Sequence, residues 1–358
     1  MRTADFDFCL PAELIAQIPA LRRDASRLFI LHRKPVRFEH RKFGDLPGYL
    51  RPGDVLVLND SKVIPARLRG VNLNTGGQLE LLLLEEVGLN DWWVMLRPAK
   101  RAREGTRIAL KDPHGTVTHI QASVVEKNQE GHRRLVFEGA PNILSVIDQI
   151  GEVPLPPYIE RTGTIDWKED GERYQTVFAR PAGSVAAPTA GLHFTQELLD
   201  RIRALGIEVS FLTLHVGLGT FAPVKSEDLD GHTMHEERFE ISAAAARAIN
   251  RAKSAGGRIV AVGTTTLRVL ETIVSDPGGA VVPGSGRTCI FIYPPYGFKV
   301  VDALLTNFHL PRSTLLMLVS AFAAPGSTEG RHTILSAYGQ AIQNRYRFYS
   351  YGDAMLLI

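Results

Sequence analysis

Apolar runs and polar breaks divide the chain into three stretches. Up to about Ser61 the elements are mixed. Pro11 followed by Ala12, Glu13, Leu14 and Ile15 predicts a helix start, because proline suits the first helical position. Residues 28–31 and 55–58 are short apolar runs that predict buried strands, the second introduced by the turn residues Arg51, Pro52, Gly53 and Asp54. From 62 to 152 strand-like runs follow one another at 66–71, 78–85, 92–97, 106–110, 117–125 and 134–138, with polar or glycine-containing breaks between them. That spacing predicts a small all-β barrel or sandwich. Beyond it helices and strands alternate. Thr195 is a candidate N-cap for the stripe Leu198, Leu199, Ile202 and Leu205, and Gly206 ends it. Ile207, Val209, Phe211 and Leu214 predict a strand. Ser242 caps an alanine-rich helix ending near Gly256, residues 258–262 predict a buried strand, and 267–274 a helix. Residues 288–293 predict another strand and 313–322 another helix. The fold class expected is mixed α/β: residues 1–61 and 153–358 form an α/β major domain, and 62–152 an inserted small barrel domain.

Composition narrows the class. Hydrophobic residues make up 44% and charged residues 22%, enough apolar surface for a packed core. A formal net charge of +3 permits a polyanionic partner without requiring one. Cys9 and Cys289 are the two cysteines, far apart and in no C-x-x-C pair. This argues against a structural zinc site, an iron–sulfur cluster or a disulfide framework. The apolar runs 79–84 and 315–324 fall short of the roughly 20 residues that span a bilayer, and residues 1–10 contain no signal-peptide core. A soluble, cytoplasmic protein without membrane association is expected.

Four segments carry candidate chemistry. In VLVLNDSKVIPARL a buried strand breaks into Asn59, Asp60, Ser61 and Lys62, the place where α/β folds present polar groups to ligands; an Asx turn is the structural alternative. In VAAPTAGLHFT, Thr189 and Gly191 lead to His193 just before a helix N-terminus, where backbone N–H groups favour an anion. In LTLHVGLGTF a strand carries His215 and breaks into Gly217, Leu218, Gly219 and Thr220, a turn that would cradle a cofactor or form a bulge. In AVGTTTLR a strand passes through Gly263 into Thr264, Thr265 and Thr266 at a helix start. Towards the C-terminus Asn307, His309, Arg345, Tyr346 and Arg347 combine polar groups with arginine–aromatic interleaving, which either contacts RNA or packs as a terminal helix.

Together, FDFCLPAELIAQIPA, LVLNDSKVIPARL, GEVPLPPYI, PTAGLHFT, HVGLGTFAPV, IFIYPPY, TNFHLPRSTLLMLVSAF and YRFYSYGDAM closely resemble the S-adenosylmethionine:tRNA ribosyltransferase-isomerase family of queuosine biosynthesis, over almost the whole chain. Gly286-Arg287-Thr288 stands where relatives often have Gly-Trp-Thr. The resemblance implies an α/β domain with an inserted barrel and a reaction without metal. It implies S-adenosylmethionine as consumed co-substrate. Its ribosyl part passes to 7-aminomethyl-7-deazaguanine at the wobble position of tRNA with a GUN anticodon (the Asp, Asn, His and Tyr isoacceptors) and rearranges to give epoxyqueuosine, with adenine and methionine released. A monomer is expected.

The reaction needs a base for a proton on carbon beside the sulfonium, and histidine is the residue type suited to it near neutrality. His193 or His215 is expected in that role, with His309 third and Asp60 as a candidate acid. Asp60 and Glu236 are candidate partners for the aminomethyl cation. Asn59, Lys62, Thr189, Thr220 and Asn307 are candidate substrate contacts. Gly191, Gly217 and Gly219 would leave room for the donor, and Thr264, Thr265 and Thr266 would meet its carboxylate. Arg67, Arg345 and Arg347 are candidate phosphate contacts. A methyltransferase would carry a glycine-rich loop after an early strand, and none is present. A non-catalytic tRNA-binding protein would release no adenine.

Overall fold

The computed structural model describes residues 1–161, 167–217, 226–274 and 279–358. Leu218, Gly219 and Thr220 lie outside the described residues.

A nine-stranded mixed sheet forms the larger body. Its spatial order is Gly284–Thr288, Glu237–Ile241, Glu208–Leu214, Val55–Asn59, Ile259–Val262, Ala303–Asn307, Ala354–Leu357, Arg27–Arg33 and Val36–Lys42. The four central strands run parallel, and antiparallel strands flank them on both sides. Burial on both faces explains why the central strands read as unbroken apolar runs. Val55 and Val57 enter one core, with helices Ala243–Ser254, Thr264–Thr272, Thr314–Ala323 and Gly330–Gln343. Leu56 and Leu58 enter the other, with helix Gln196–Ala204. The expected caps Thr195 and Ser242 are in place, their hydroxyls accepting from Leu198 and Ala245 backbone N–H at 3.1 Å each, and Ser313 caps in the same way, accepting from Leu316 N–H at 3.2 Å.

The second body is a closed antiparallel barrel. Arg67–Asn72, Gln78–Gly88, Asp91–Arg97, Arg133–Glu138, Val117–Lys127 and Arg107–Lys111 pair in that order, and the last returns to the first. Closure brings Gly70 against its neighbour so tightly that a Cβ there would lie 2.6 Å from Ile108 Cγ2. Only glycine permits that approach. Gly151–Glu152 adds a short pairing to Arg67 and Leu68. Lys62–Val63 pairs instead with Ala182–Ser184, outside the barrel.

Two sequence expectations change. Residues 12–14 make a single 3-10 turn rather than the start of a helix. The following backbone is taken by a distant segment, since Phe348 N–H donates to Leu14 O at 2.8 Å and Ala16 N–H to Phe348 O at 3.3 Å. The strand expected at 288–293 lies earlier, at Gly284–Thr288. Beyond it Ile290 N–H donates to the Thr288 hydroxyl, at 3.3 Å, instead of to the sheet.

A candidate active-site cleft at the carboxyl ends of the central strands

The central parallel strands all end at one edge, and in α/β sheets ligands bind outside the carboxyl ends of the strands. A cleft of about 580 Å³, open to solvent, lies at this edge. Val216 follows the first strand, Gly263, Thr264 and Thr265 follow the third, and Thr306, Asn307 and His309 end the fourth. Thr189, Tyr158, Tyr349 and Ser350 complete its walls. Helix Thr264–Thr272 begins at this cleft. Its N-cap, Gly263 at φ +90°, has no side chain to satisfy the first N–H groups. Such a helix end favours a carboxylate or phosphate.

Asn307 occupies the floor and is 3% exposed. Its Nδ2 donates to Tyr349 O at 3.3 Å and to His193 Nε2 at 3.1 Å. The carbonyl of Tyr349 can only accept, which fixes the amide orientation. His193 Nε2 therefore accepts, and Nδ1–H donates to Ser26 Oγ at 2.7 Å. The ring also stacks on Phe43 at 4.9 Å. Burial, then the charges of Arg347 and Arg23, lower the His193 pKa to about 3. His193 is thus a neutral ring with both nitrogens engaged, and it aims Asn307. The amide's Oδ1 is left buried with no partner, as is Thr265 Oγ1. A buried orphan acceptor costs about 1–3 kcal/mol, and it marks where a ligand would complete the site.

His309 is also neutral, its pKa lowered by burial to about 3. Its Nε2 meets Thr306 Oγ1 at 2.9 Å. His215 differs. It is half-buried, its Nδ1 lacks a partner, and burial, then the Arg238 charge, lower its pKa. Gly183, at φ +142°, packs on its ring so closely that a Cβ would stand 2.8 Å from Nδ1. The unprotonated imidazole is therefore the dominant form at neutral pH, with its Nδ1 buried against Gly183.

Asn59 is spent on structure. Its Oδ1 accepts from Leu214 N–H at 3.0 Å and Ser61 N–H at 3.1 Å, and its Nδ2 donates to Leu214 O at 2.9 Å. This is the Asx-type alternative, and it locks two neighbouring strand ends. Asp60 Oδ1 accepts from Thr213 Oγ1 at 2.7 Å, and burial raises its carboxyl pKa against that bond and the Arg180 charge. Thr266 Oγ1 donates to Val262 O at 2.7 Å inside the helix and does not reach the cleft. Gly191 is a packing glycine, since a Cβ would meet Phe178 and Thr176 at 2.9 Å. Gly217 N–H donates to Glu237 Oε1 at 3.3 Å, and the buried Glu237 pairs with Arg268.

Several candidates fall elsewhere. Lys62 is exposed beyond the strand end. Arg67 pairs with Glu80 at 2.7 Å on the barrel, and Glu236 lies 3.6 Å from Arg287. Arg345 is exposed. Arg347 donates to Ile18 O at 3.2 Å and by its backbone to Asp353 at 2.8 Å. Tyr346 and Phe348 are fully buried core residues, unavailable for stacking on bases. Sequence reasoning missed Tyr158, Tyr349 and Ser350. Tyr158 OH and Ser350 Oγ lie 2.6 Å apart, one coming from the proline-rich GEVPLPPYI segment and the other from the arginine–aromatic segment. Among the described residues no group of three His, Cys, Asp or Glu is placed to hold a metal, and no helix is long and apolar enough to cross a membrane.

Residues 3–357 match the family described as queuosine biosynthesis protein. An S-adenosylmethionine:tRNA ribosyltransferase-isomerase of Desulforamulus reducens is 52% identical over 358 residues, covering all of both chains. A protein of the same name from Symbiobacterium thermophilum is 53% identical over 363 residues, again covering both in full. A crystal structure of S-adenosylmethionine tRNA ribosyltransferase from Thermotoga maritima is 39% identical, with a TM-score of 0.55 over 99% of this chain and 100% of that one.

Proposed function

The chain belongs to the queuosine biosynthesis protein family, and from that premise we propose that it transfers and isomerises the ribosyl part of S-adenosylmethionine onto 7-aminomethyl-7-deazaguanine in tRNA, releasing adenine and methionine. The observation that carries this reading is full-length identity of about one half to relatives bearing that enzyme name. The finer parts of the reading are the wobble position of GUN anticodons, a monomeric enzyme and chemistry without a metal.

The cleft suits such a donor. The N-terminus of helix Thr264–Thr272, with Thr265 Oγ1 beside it, offers N–H groups to the methionine carboxylate. The orphan Asn307 Oδ1 accepts an N–H from a purine amino group or an ammonium. Tyr158 and Tyr349 bring aromatic surface to the same cleft.

The sulfonium acidifies its neighbouring C–H and later departs with the methionine, so activation is carried by the donor. His215 is the general base in this reading: burial keeps its ring unprotonated at neutrality, whereas both ring nitrogens of His193 are engaged. Asp60, buried at the end of strand Val55–Asn59 with Oδ1 accepting from Thr213, is the carboxyl group we assign to the leaving purine. His193 and His309 shape the floor and stay neutral.

The test incubates the protein with S-adenosylmethionine and an anticodon stem-loop carrying the aminomethyl base, followed by chromatography for adenine and mass spectrometry of the RNA. Free adenine and methionine with an epoxycyclopentane adduct are expected. S-adenosylhomocysteine and methylated RNA would instead identify a methyltransferase, and binding without adenine a non-catalytic protein.

A further inference from the structure

A second pocket, about 280 Å³ and open to solvent, lies behind His193. Arg23, Arg173 and Tyr351 line it, and Ser350 is shared with the main cleft. The two arginines come from different segments and are held by main-chain carbonyls. Arg23 donates to Leu192 O at 3.1 Å and Glu172 O at 2.9 Å, and Arg173 to Ala20 O and to Leu21 O at 3.4 Å. Neither forms an ion pair among the described residues. Nearby Arg161, by contrast, is bidentate to Asp170 at 2.6 and 2.8 Å.

Two guanidiniums facing one pocket repel each other, and each has N–H groups to spare. Burial, then the Arg173 charge, lower the Arg23 pKa, so the arrangement strains against its own charge. The Tyr351 hydroxyl is a third polar group there, on a residue 3% exposed and without a partner. Next in sequence to the lining residues Pro19 and Ala20, Leu21 is 94% exposed and Ile18 69% exposed. These exposed aliphatic side chains, beside residues that line a charged pocket, offer apolar surface to a bound macromolecule.

We propose that this pocket seats a phosphodiester of the RNA substrate in the fork of Arg23 and Arg173, with Ile18 and Leu21 packing against the adjoining nucleoside. This rests on the tRNA reading above and adds to it the place where the RNA backbone docks. A planar guanidinium matches two phosphate oxygens. The donor's carboxylate is served by the helix N-terminus in the main cleft, on the far side of His193 and Asn307. The neighbouring apolar surface suits a sugar and base, which a free carboxylate ligand lacks.

The test measures anticodon stem-loop affinity by fluorescence anisotropy across a salt series, using the full chain as wild type, Arg173→Gln and Leu21→Glu. Arg173→Gln weakens RNA binding about tenfold at low salt and flattens the plot of log affinity against log salt by about 0.7, the share of one single-strand phosphate. KM for S-adenosylmethionine stays unchanged. Leu21→Glu weakens RNA binding severalfold, and its exposed side chain keeps the test decisive if Arg173→Gln fails to fold. If wild type releases adenine on primed RNA while both variants keep wild-type affinity and slope, the phosphate seat is overturned and the enzymatic reading stands. If Arg173→Gln raises the donor KM and leaves RNA binding intact, the pocket serves the donor and the proposal fails. If wild type neither binds nor modifies RNA, the enzymatic reading falls and takes the seat with it.

Discussion

The barrel and the cleft handle polar groups in opposite ways. On the barrel, charges answer one another: Arg67 with Glu80, Arg69 with Glu152, and Arg134 with Asp91, at 2.7, 2.8 and 2.7 Å. Its buried polar orphans among the described residues are Arg67 Nε and Trp92 Nε1. At the cleft, Asn307 Oδ1 and Thr265 Oγ1 lack partners, and Tyr351 OH lacks one just behind it. Folding tolerates such orphans where a ligand will answer them. The barrel is therefore complete as a folded object, while the cleft is complete only when occupied.

The sharpest way to break this contrast is to remove the free base. His215→Gln should lower turnover by about 10²–10⁴-fold and leave the thermal midpoint close to wild type. The base works unprotonated and its pKa is depressed, so the acid limb of the kcat/KM profile should lie below about 6.5 in wild type. That limb should vanish in the variant. Near-normal turnover in His215→Gln would remove His215 from the chemistry.

Charge burial should separate the two regions next. Arg268→Met removes the guanidinium that pairs with the buried Glu237, and the loss should be about 3–5 kcal/mol by chemical denaturation. Arg134→Met on the barrel should cost far less, because that guanidinium stands at the surface. Equal costs would mean that the paired and unpaired regions do not differ in the way described.

Acid should act through the cleft floor. The folded pKa values of His193 and His309, both about 3, lie below the unfolded value of about 6.5. The unfolded chain therefore binds the extra protons between those limits. Stability is full above about pH 6.5 and falls as pH drops toward 3, by up to about 1.4 kcal/mol per pH unit for each histidine. His309→Gln should flatten that slope by one proton. Denaturation curves with an unchanged slope would show that His309 titrates normally.

The smallest effect should be the most telling. Thr265→Val removes an orphan hydroxyl at nearly constant volume, so stability should hold or rise by up to about 1 kcal/mol. Donor affinity should fall about tenfold, read by calorimetric titration with S-adenosylmethionine. Unchanged affinity would show that the hydroxyl is a tolerated defect and not a ligand contact.

Much of this was legible in residue order because local periodicity carried it. The run at 55–58 became the fully buried strand Val55–Asn59, and the six runs between 66 and 138 became the six barrel strands with ends shifted by no more than three residues. Capping hydroxyls marked helix starts because they satisfy N–H groups within three residues. The cleft was partly legible: Thr189, Thr264, Thr265, Asn307 and His309 do converge on it. What a sequence of residue types could not show was which polar atoms were already engaged. His193 and Asn59 look like site residues in one dimension, and each is held by distant backbone or side-chain partners. Strands Glu237–Ile241 and Ala354–Leu357 passed unread, because their partners stand far along the chain and alternation over four or five residues is a weak signal.

The pairing of Leu28 with Ala354 has a consequence for how the molecule comes into being. The hairpin Arg27–Lys42 emerges with one edge open, and its missing neighbour is translated long after it. Until then that edge offers an unfilled ladder to any passing strand, while the barrel, whose contacts are nearer in sequence, can already have closed. Assembly of the large sheet thus joins two strands made far apart in time, and a nascent chain stalled shortly before Ala354 would be the species most prone to clump.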